Sequence, residues 1–359
     1  MKSPRRVSLA AFLVVGGVLA QSQVSAADAT KAKAEKPQQA IVICDVTRLA
    51  AKPDVRAEAV ASANCGDVIT LLGDRYKDWL RVQTANTVGW LDEGLIVPLH
   101  APAAPARLLV AARDTEEPPP SRYGQPPLLN ALALYSRFLQ FFPKSEYEGF
   151  ALYRYGQLAD RLAVEATKKA DQELRREAKR SDAALMGWKG LDQYKKWGLK
   201  FSPDHLGGEY RYDGQVYARI LKDHPRSAWA DNAAYALLRL SRAIEWEGFP
   251  EGPLAELPKW QGFLRKYPES ELAPLAQLEI GYLNRVLHEI YSYEKKFASP
   301  TKARKYRQAA VGVFGRIRRQ YAGTEFAAQA EKDLAELSQG RNVYLMLPYS
   351  QRHIQQPQP

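Results

Sequence analysis

Large side chains recur through the second half of the chain in steps of three and four. Tyr135, Phe138, Leu139 and Phe142 precede Pro143; Tyr217, Ile220, Leu221 and His224 precede Pro225; Trp260, Phe263, Leu264 and Tyr267 precede Pro268. In each run they stand eight, five, four and one positions before the proline, a spacing that gathers them on one face of a helix. A weaker fourth copy, Phe314, Ile317 and Tyr321 before Ala322, carries Arg318 where the others carry leucine. The breaker ends the helix, and a hydroxyl two residues on (Ser145, Ser227, Ser270 or Thr324) is placed to accept the free N–H groups that open the next one. That next helix carries Ala151, Ala233, Ala276 and Ala330, followed five residues later by Gly156, Leu238, Gly281 and Ala335. Small residues at such positions let helices approach closely. Four copies in one register predict stacked helical hairpins over residues 128–338, an architecture that presents surface to a partner.

The pattern before residue 100 is different. Ile41-Val42-Ile43, Val68-Ile69-Thr70-Leu71-Leu72, Trp79-Leu80-Arg81-Val82 and Val88-Gly89-Trp90-Leu91 are short β-rich runs. Gly66-Asp67, Gly73-Asp74, Lys77-Asp78 and Ala85-Asn86 punctuate them, and the arrangement predicts a small all-β barrel over residues 40–98. Residues 99–127 hold seven prolines, a density that disfavours helix and predicts an extended spacer, with Ala106–Ala112 available as an added strand. The gap between Pro143 and Pro225 leaves room for an extra, degenerate hairpin near Ala183–Lys200.

The N-terminus changes the setting. Lys2, Arg5 and Arg6 precede an apolar run from Val7 to Ala20, and Val24-Ser25-Ala26 offers small residues where a signal peptidase reads. Residues 1–26 therefore read as a secretory signal cleaved between Ala26 and Ala27; the run is shorter than the roughly 20 residues a membrane-spanning helix needs. Residues 27–39 read as a flexible leader. Residues 339–359 read as a tail whose apolar part caps the last helix and whose end, Gln355 to Pro359, is disordered. The expectation is an exported protein, periplasmic and not membrane-spanning. Losing the three signal cations takes the formal charge from +11 to +8. A basic exported chain meets anionic wall polymers, lipid headgroups or acidic proteins rather than nucleic acid. Cys44 and Cys65, the only cysteines, lie in the β region. An oxidising compartment favours a disulfide, and two buried thiols is the alternative that sequence leaves open.

Cys65-Gly66-Asp67-Val68, Asp78-Trp79-Leu80-Arg81-Val82 and Thr87-Val88-Gly89-Trp90-Leu91 resemble the bacterial SH3 domain. The stretch Val46-Thr47-Arg48-Leu49-Ala50-Ala51-Lys52-Pro53 departs from the family's spacing between its Arg and Pro. The aromatic-Pro-x-Ser corners, with Gly156 and Gly281 at the small position of the first helix, are similar to the divergent tetratricopeptide repeats of periplasmic envelope proteins. Their spacing departs from an even 34, because the breakers sit at 143, 225, 268 and 322.

Signs of catalysis are few. His100, His205, His224, His288 and His353 lack metal-ligand spacing, and His224 fills an aromatic corner slot. Neither a nucleophile elbow nor a phosphate-binding glycine loop occurs. Glu116-Glu117 falls in the spacer, and Glu269/Glu271 stands at a helix start, where a carboxylate offsets the dipole. The candidate ligand contacts are Tyr76, Trp79 and Trp90, since SH3-like barrels bind extended peptides in an aromatic groove; Trp90, after the closing glycine, is expected in the core. Basic clusters at Lys168-Lys169, Arg175-Arg176, Lys179-Arg180 and from Lys302 to Arg319 read as solvated helix faces, with an anionic partner as the alternative. The resemblances imply a non-enzymatic adaptor without cofactor or metal. Its barrel binds a cell-wall (peptidoglycan) or protein peptide, and its repeats bind a second envelope protein. The alternative class is a wall-active enzyme, or the regulator of one, targeted by the barrel.

Overall fold

The computed structural model describes residues 37–116, 126–176, 191–203, 210–241 and 248–340. The expected signal with its cleavage point at Ala26 and Ala27, the part of the expected leader before residue 37, and the tail beyond residue 340 lie outside the described residues.

An antiparallel seven-stranded sheet comes first: β1 (Gln38–Val42), β2 (Val46–Ala50), β3 (Ala59–Asn64), β4 (Val68–Tyr76), β5 (Trp79–Gln83), β6 (Val88–Asp92) and β7 (Ile96–Pro98). Its strand order is β3-β2-β6-β5-β4-β1-β7. The end strands β3 and β7 do not pair with each other, so the sheet is not closed by hydrogen bonds. Its own core is apolar: Ala40, Val42, Leu49, Ala63, Ile69, Val82, Leu91 and Ile96 are all buried. Gly89 is required where β6 meets β2, since a Cβ there would lie 2.9 Å from that of Leu49.

Nine helices follow among the described residues: α1 (Ala104–Asp114), α2 (Pro127–Phe141), α3 (Glu148–Arg176), α4 (Gln215–Asp223), α5 (Ala230–Leu240), α6 (Glu251–Lys266), α7 (Ala273–Tyr293), α8 (Pro300–Gln320) and α9 (Glu325–Ser338). Between α3 and α4 lies a two-stranded sheet, β8 (Phe201–Pro203) with β9 (Tyr210–Tyr212), preceded by a 3-10 turn at Gln193–Trp197. Of the extra hairpin expected near Ala183–Lys200 only residues from 191 on are described, and they hold the 3-10 turn; with the strand pair beyond it this turn makes up the described insert between α3 and α4. Its rings Tyr194, Phe201, Tyr210 and Tyr212 join the main core, which β-branched and aromatic residues do as readily from a strand.

The repeat pattern maps onto burial position by position. The residues eight and five before the breaker are buried in every copy: Tyr135 and Phe138, Tyr217 and Ile220, Trp260 and Phe263, Phe314 and Ile317. Those four and one before it are half-buried, except the exposed Arg318. Ala151, Ala233, Ala276 and Ala330 are completely buried. The small residues five positions on receive a ring from the next helix. A Cβ on Gly156 would lie 2.6 Å from Tyr217, and one on Gly281 would overlap Phe314.

Two expectations are corrected. Residues 104–114 form α1 where an extended spacer, or an added strand at Ala106–Ala112, was expected. Pro105 stands in the first helical turn, where a missing N–H costs nothing, and Ala104, Leu108 and Ala112 form a buried stripe at helical spacing. The corner hydroxyls also differ. Only Thr324 caps its helix, accepting from the Ala327 N–H. Ser145 accepts from Tyr147 and Ser270 from Leu272, one turn early, because extra residues separate them from the helix start.

The sheet and the helices share a core. Ile41, Cys65 and Val97 pack with α1, α2 and α3 in one cluster. Asn130 donates to Asp45 Oδ1 at 2.7 Å and Arg137 Nε donates to the Gly66 carbonyl at 2.8 Å. Gly66, at φ +82°, leaves room for Ala133. All described residues from Gln38 onward belong to one compact unit.

Candidate functional site

The three aromatic candidates on the sheet come together on one face. Tyr76 pairs with Trp79 across the β4–β5 hairpin, Trp79 with Asp92, and Arg81 with Trp90. Cross-strand partners share a face, and the opposite face of β5 and β6 holds Leu80, Val82 and Leu91. Trp79, Arg81 and Trp90 therefore stand on the outer face, with the two tryptophans on neighbouring strands as diagonal neighbours, a separation of about 7–8 Å. Trp90 is half-buried on this face and not part of the sheet's core, a correction set by strand alternation, since its neighbours Gly89 and Leu91 take the inward positions. Tyr76 is 51% exposed and Lys77 Nζ lies 5.6 Å from its ring centre. Two ion pairs flank the patch: Arg75 with Glu93, and Arg81 with Asp74 at 2.8 Å. One exposed ring and two half-buried ones, interleaved with cations, suit stacking on an extended ligand.

Cys44 and Cys65 stand as free thiols in this structure, the first half-buried and the second buried. Cys44 packs partly against the sheet's own core, whereas Cys65 is buried in the core shared with the helices. Burial pushes the Cys65 thiol up to about 12 and raises Cys44 as well. Neither thiol is poised as a nucleophile at neutral pH.

The helical region holds buried charges that no sequence pattern announced. A groove of about 510 Å³ between α3 and α5 has Asp160 at its floor, bonded to Arg239 and to the Tyr217 hydroxyl. Burial raises the Asp160 carboxyl pKa, an effect that Arg239 and Tyr217 offset in part. Glu148, at the start of α3, is buried against Arg219, and His224 Nε2 lies 3.2 Å from it. The corner histidine thus touches a buried carboxylate as well as packing in its slot. Arg285 is completely buried on α7 and meets Asp333 at 3.1 Å, Glu336 at 3.0 Å and Glu289 at 3.5 Å. These partners lie up to 79 residues apart, beyond the reach of periodicity; charged residues at otherwise apolar helix positions were the available signal.

Among the described residues, no group of His, Cys, Asp and Glu could hold a metal, and no helix is long and apolar enough to cross a membrane. Of the basic clusters, Lys168, Lys169 and the α8 cations from Lys302 to Arg319 are exposed. His205, His353, Lys179 and Arg180 lie outside the described residues. No protein-family model matches the chain, and comparison with curated proteins returns no match.

Proposed function

We propose that this chain is an exported, non-enzymatic adaptor of the cell envelope. In this reading its sheet is a bacterial SH3-like barrel that binds a wall or protein peptide, and its helices are tetratricopeptide-like repeats that bind a second protein. The observation that carries it is the convergence of Tyr76, Trp79 and Trp90 on one outer face, away from the apolar core. Tyrosine and tryptophan are among the residues that most often dominate peptide recognition. The repeat-forming side chains of the helices are taken up in packing, which leaves the variable residues between them for a partner. The shared core makes the two surfaces parts of one unit, so the adaptor holds its partners at a set spacing.

The test is capture from periplasmic extract, and from purified wall sacculi, by the full mature chain. Trp79→Ala is expected to weaken wall or peptide binding about thirtyfold, the scale of a central aromatic contact of roughly 2 kcal/mol. Undiminished capture by the Trp79→Ala, Trp90→Ala double variant would sink the sheet's assignment. Release of soluble muropeptides from sacculi would instead favour a wall-active enzyme.

A further inference from the structure

Charge is segregated at the C-terminal end of the helices. The carboxylates Glu289, Asp333 and Glu336 are buried around Arg285. Helix α8 carries seven cations between Pro300 and Gln320 and no carboxylate. None of the seven makes an ion pair among the described residues. A helix with that composition repels its own side chains and attracts a partner of opposite charge.

One stretch of this surface is concave. A groove of about 670 Å³ runs between α6 and α8, with α7 as its floor. Arg265 on one wall faces the groove with Arg316 on the other, both exposed and without an ion pair among the described residues. The floor presents Gln277, whose Oε1 is buried with no hydrogen-bond partner among the described residues while its amide nitrogen donates to the Tyr321 hydroxyl. Gln261 and Gln320 stand on the walls. On α8 the wall is low: a Cβ at Gly312 would meet nothing within 4 Å.

We propose that this groove binds an extended acidic peptide segment of a protein partner, which names the chemistry of the second partner in the adaptor reading and rests on it. Guanidinium groups on both walls match carboxylates in paired hydrogen bonds. The exposed side-chain amides of Gln261 and Gln320 on the walls both donate and accept, and so match the N–H and C=O groups of a peptide main chain. The opening at Gly312 lets a main chain approach. A bilayer surface is the lesser candidate, because a plane cannot enter a groove between two helices.

Fluorescence anisotropy with the full mature chain and a labelled decapeptide of alternating glutamate and alanine tests the proposal. Binding is expected for this peptide and not for its lysine counterpart, with at least a tenfold loss in Arg265→Glu, Arg316→Glu. Gly312→Leu keeps the charge, fills the groove and replaces a poor helix former, and it is expected to weaken binding at least fivefold with an undiminished melting temperature. Wild-type affinity in Gly312→Leu would overturn the proposal, since attraction would then come from the diffuse charge of α8. Tighter binding to phosphatidylglycerol vesicles than to the peptide, insensitive to Gly312→Leu, would overturn it in favour of a lipid surface. Should Gly312→Leu not fold, Gly312→Gln applies the same criterion. Absence of peptide binding, with envelope proteins still captured through the helices, would sink the groove and leave the adaptor reading standing; absence of both would sink the two together.

Discussion

The sheet and the helices handle charge in opposite ways. Two ion pairs of the sheet lie on its surface: Arg75–Glu93 has side chains 55% and 35% exposed, and Arg81–Asp74 has them 47% and 54% exposed. Its core is a cluster of aliphatic side chains. The helices instead bury ions between elements remote in sequence, and Arg285 is the extreme case at 0% exposure with three carboxylates around it. Burial makes such contacts directional and intolerant of a missing partner. The sheet therefore keeps an outer face whose chemistry can vary without touching the fold, whereas the helical stack ties its register to particular charges.

Removing Arg285 gives the sharpest test of that contrast. Arg285→Met leaves Glu289, Asp333 and Glu336 buried without their cation, and about 3–5 kcal/mol of stability is expected to go. Urea unfolding followed by far-UV circular dichroism measures it. Replacing the three carboxylates with Leu, Leu and Met in the same background is expected to restore most of the loss, since an apolar cluster of similar volume dispenses with the pairing. A loss below about 1 kcal/mol in the single variant would place the cluster with the sheet's surface pairs and break the comparison.

Next in size is a packing effect confined to the helices. Gly281→Val drives a branched side chain into the Phe314 ring and is expected to cost about 1–3 kcal/mol. Gly312→Ala, on the neighbouring helix where nothing lies within 4 Å, is expected to gain about 0.5–1 kcal/mol from helix propensity. Opposite signs at two helical glycines, read from thermal melts, separate close approach from incidental glycine. Equal signs would mean that the ring contact at Gly281 yields to small helix shifts.

Much of this architecture was legible in the sequence because it is local. Positions −8 and −5 before each breaker are buried in all four copies, which the three-and-four spacing states directly. Strands β1, β4, β5 and β6 coincide with the β-rich runs, and Tyr76 and Trp79 face each other across the two-residue Lys77-Asp78 turn; Trp90 was expected in the core and stands on the outer face instead. Three things were not legible. Proline density concealed α1, because Pro105 occupies the one turn that tolerates it. The direction of Cys65 depends on α2, which packs against Gly66 from nearly 70 residues away. The pairing of Arg285 with Asp333 and Glu336 spans 48 and 51 residues, and charge complementarity at that range has no period to betray it.

A smaller, pH-gated difference follows from His288. Its Nδ1 lies 3.0 Å from the Ala303 carbonyl and within 3.2 Å of the Ser292 hydroxyl. Burial lowers its pKa below the usual 6.5, and the charges of Arg307 and Arg285 act in the same direction against the Ala303 contact. A histidine whose folded pKa is depressed contributes stability that is full above pH ~6.5 and lost as pH falls through the lowered value. Melting temperatures of the wild type and His288→Gln are expected to run parallel above pH 6.5 and to converge below it. A constant separation through that window would show that His288 does not titrate differently in the folded state.

The smallest effect is expected on the sheet, and it is the one on which its proposed role as a recognition surface depends. Arg81→Ala removes an exposed pair with Asp74 and is expected to change stability by less than ~0.5 kcal/mol, since solvent and salt screen such pairs. Arg81 stands opposite Trp90 on the outer face, so the same substitution is expected to weaken ligand capture several-fold while the unfolding curve stays in place. Loss of stability with unchanged capture would reverse the assignment: the outer face would then be holding the sheet together, as the buried charges hold the helices, and the two regions would no longer differ in kind.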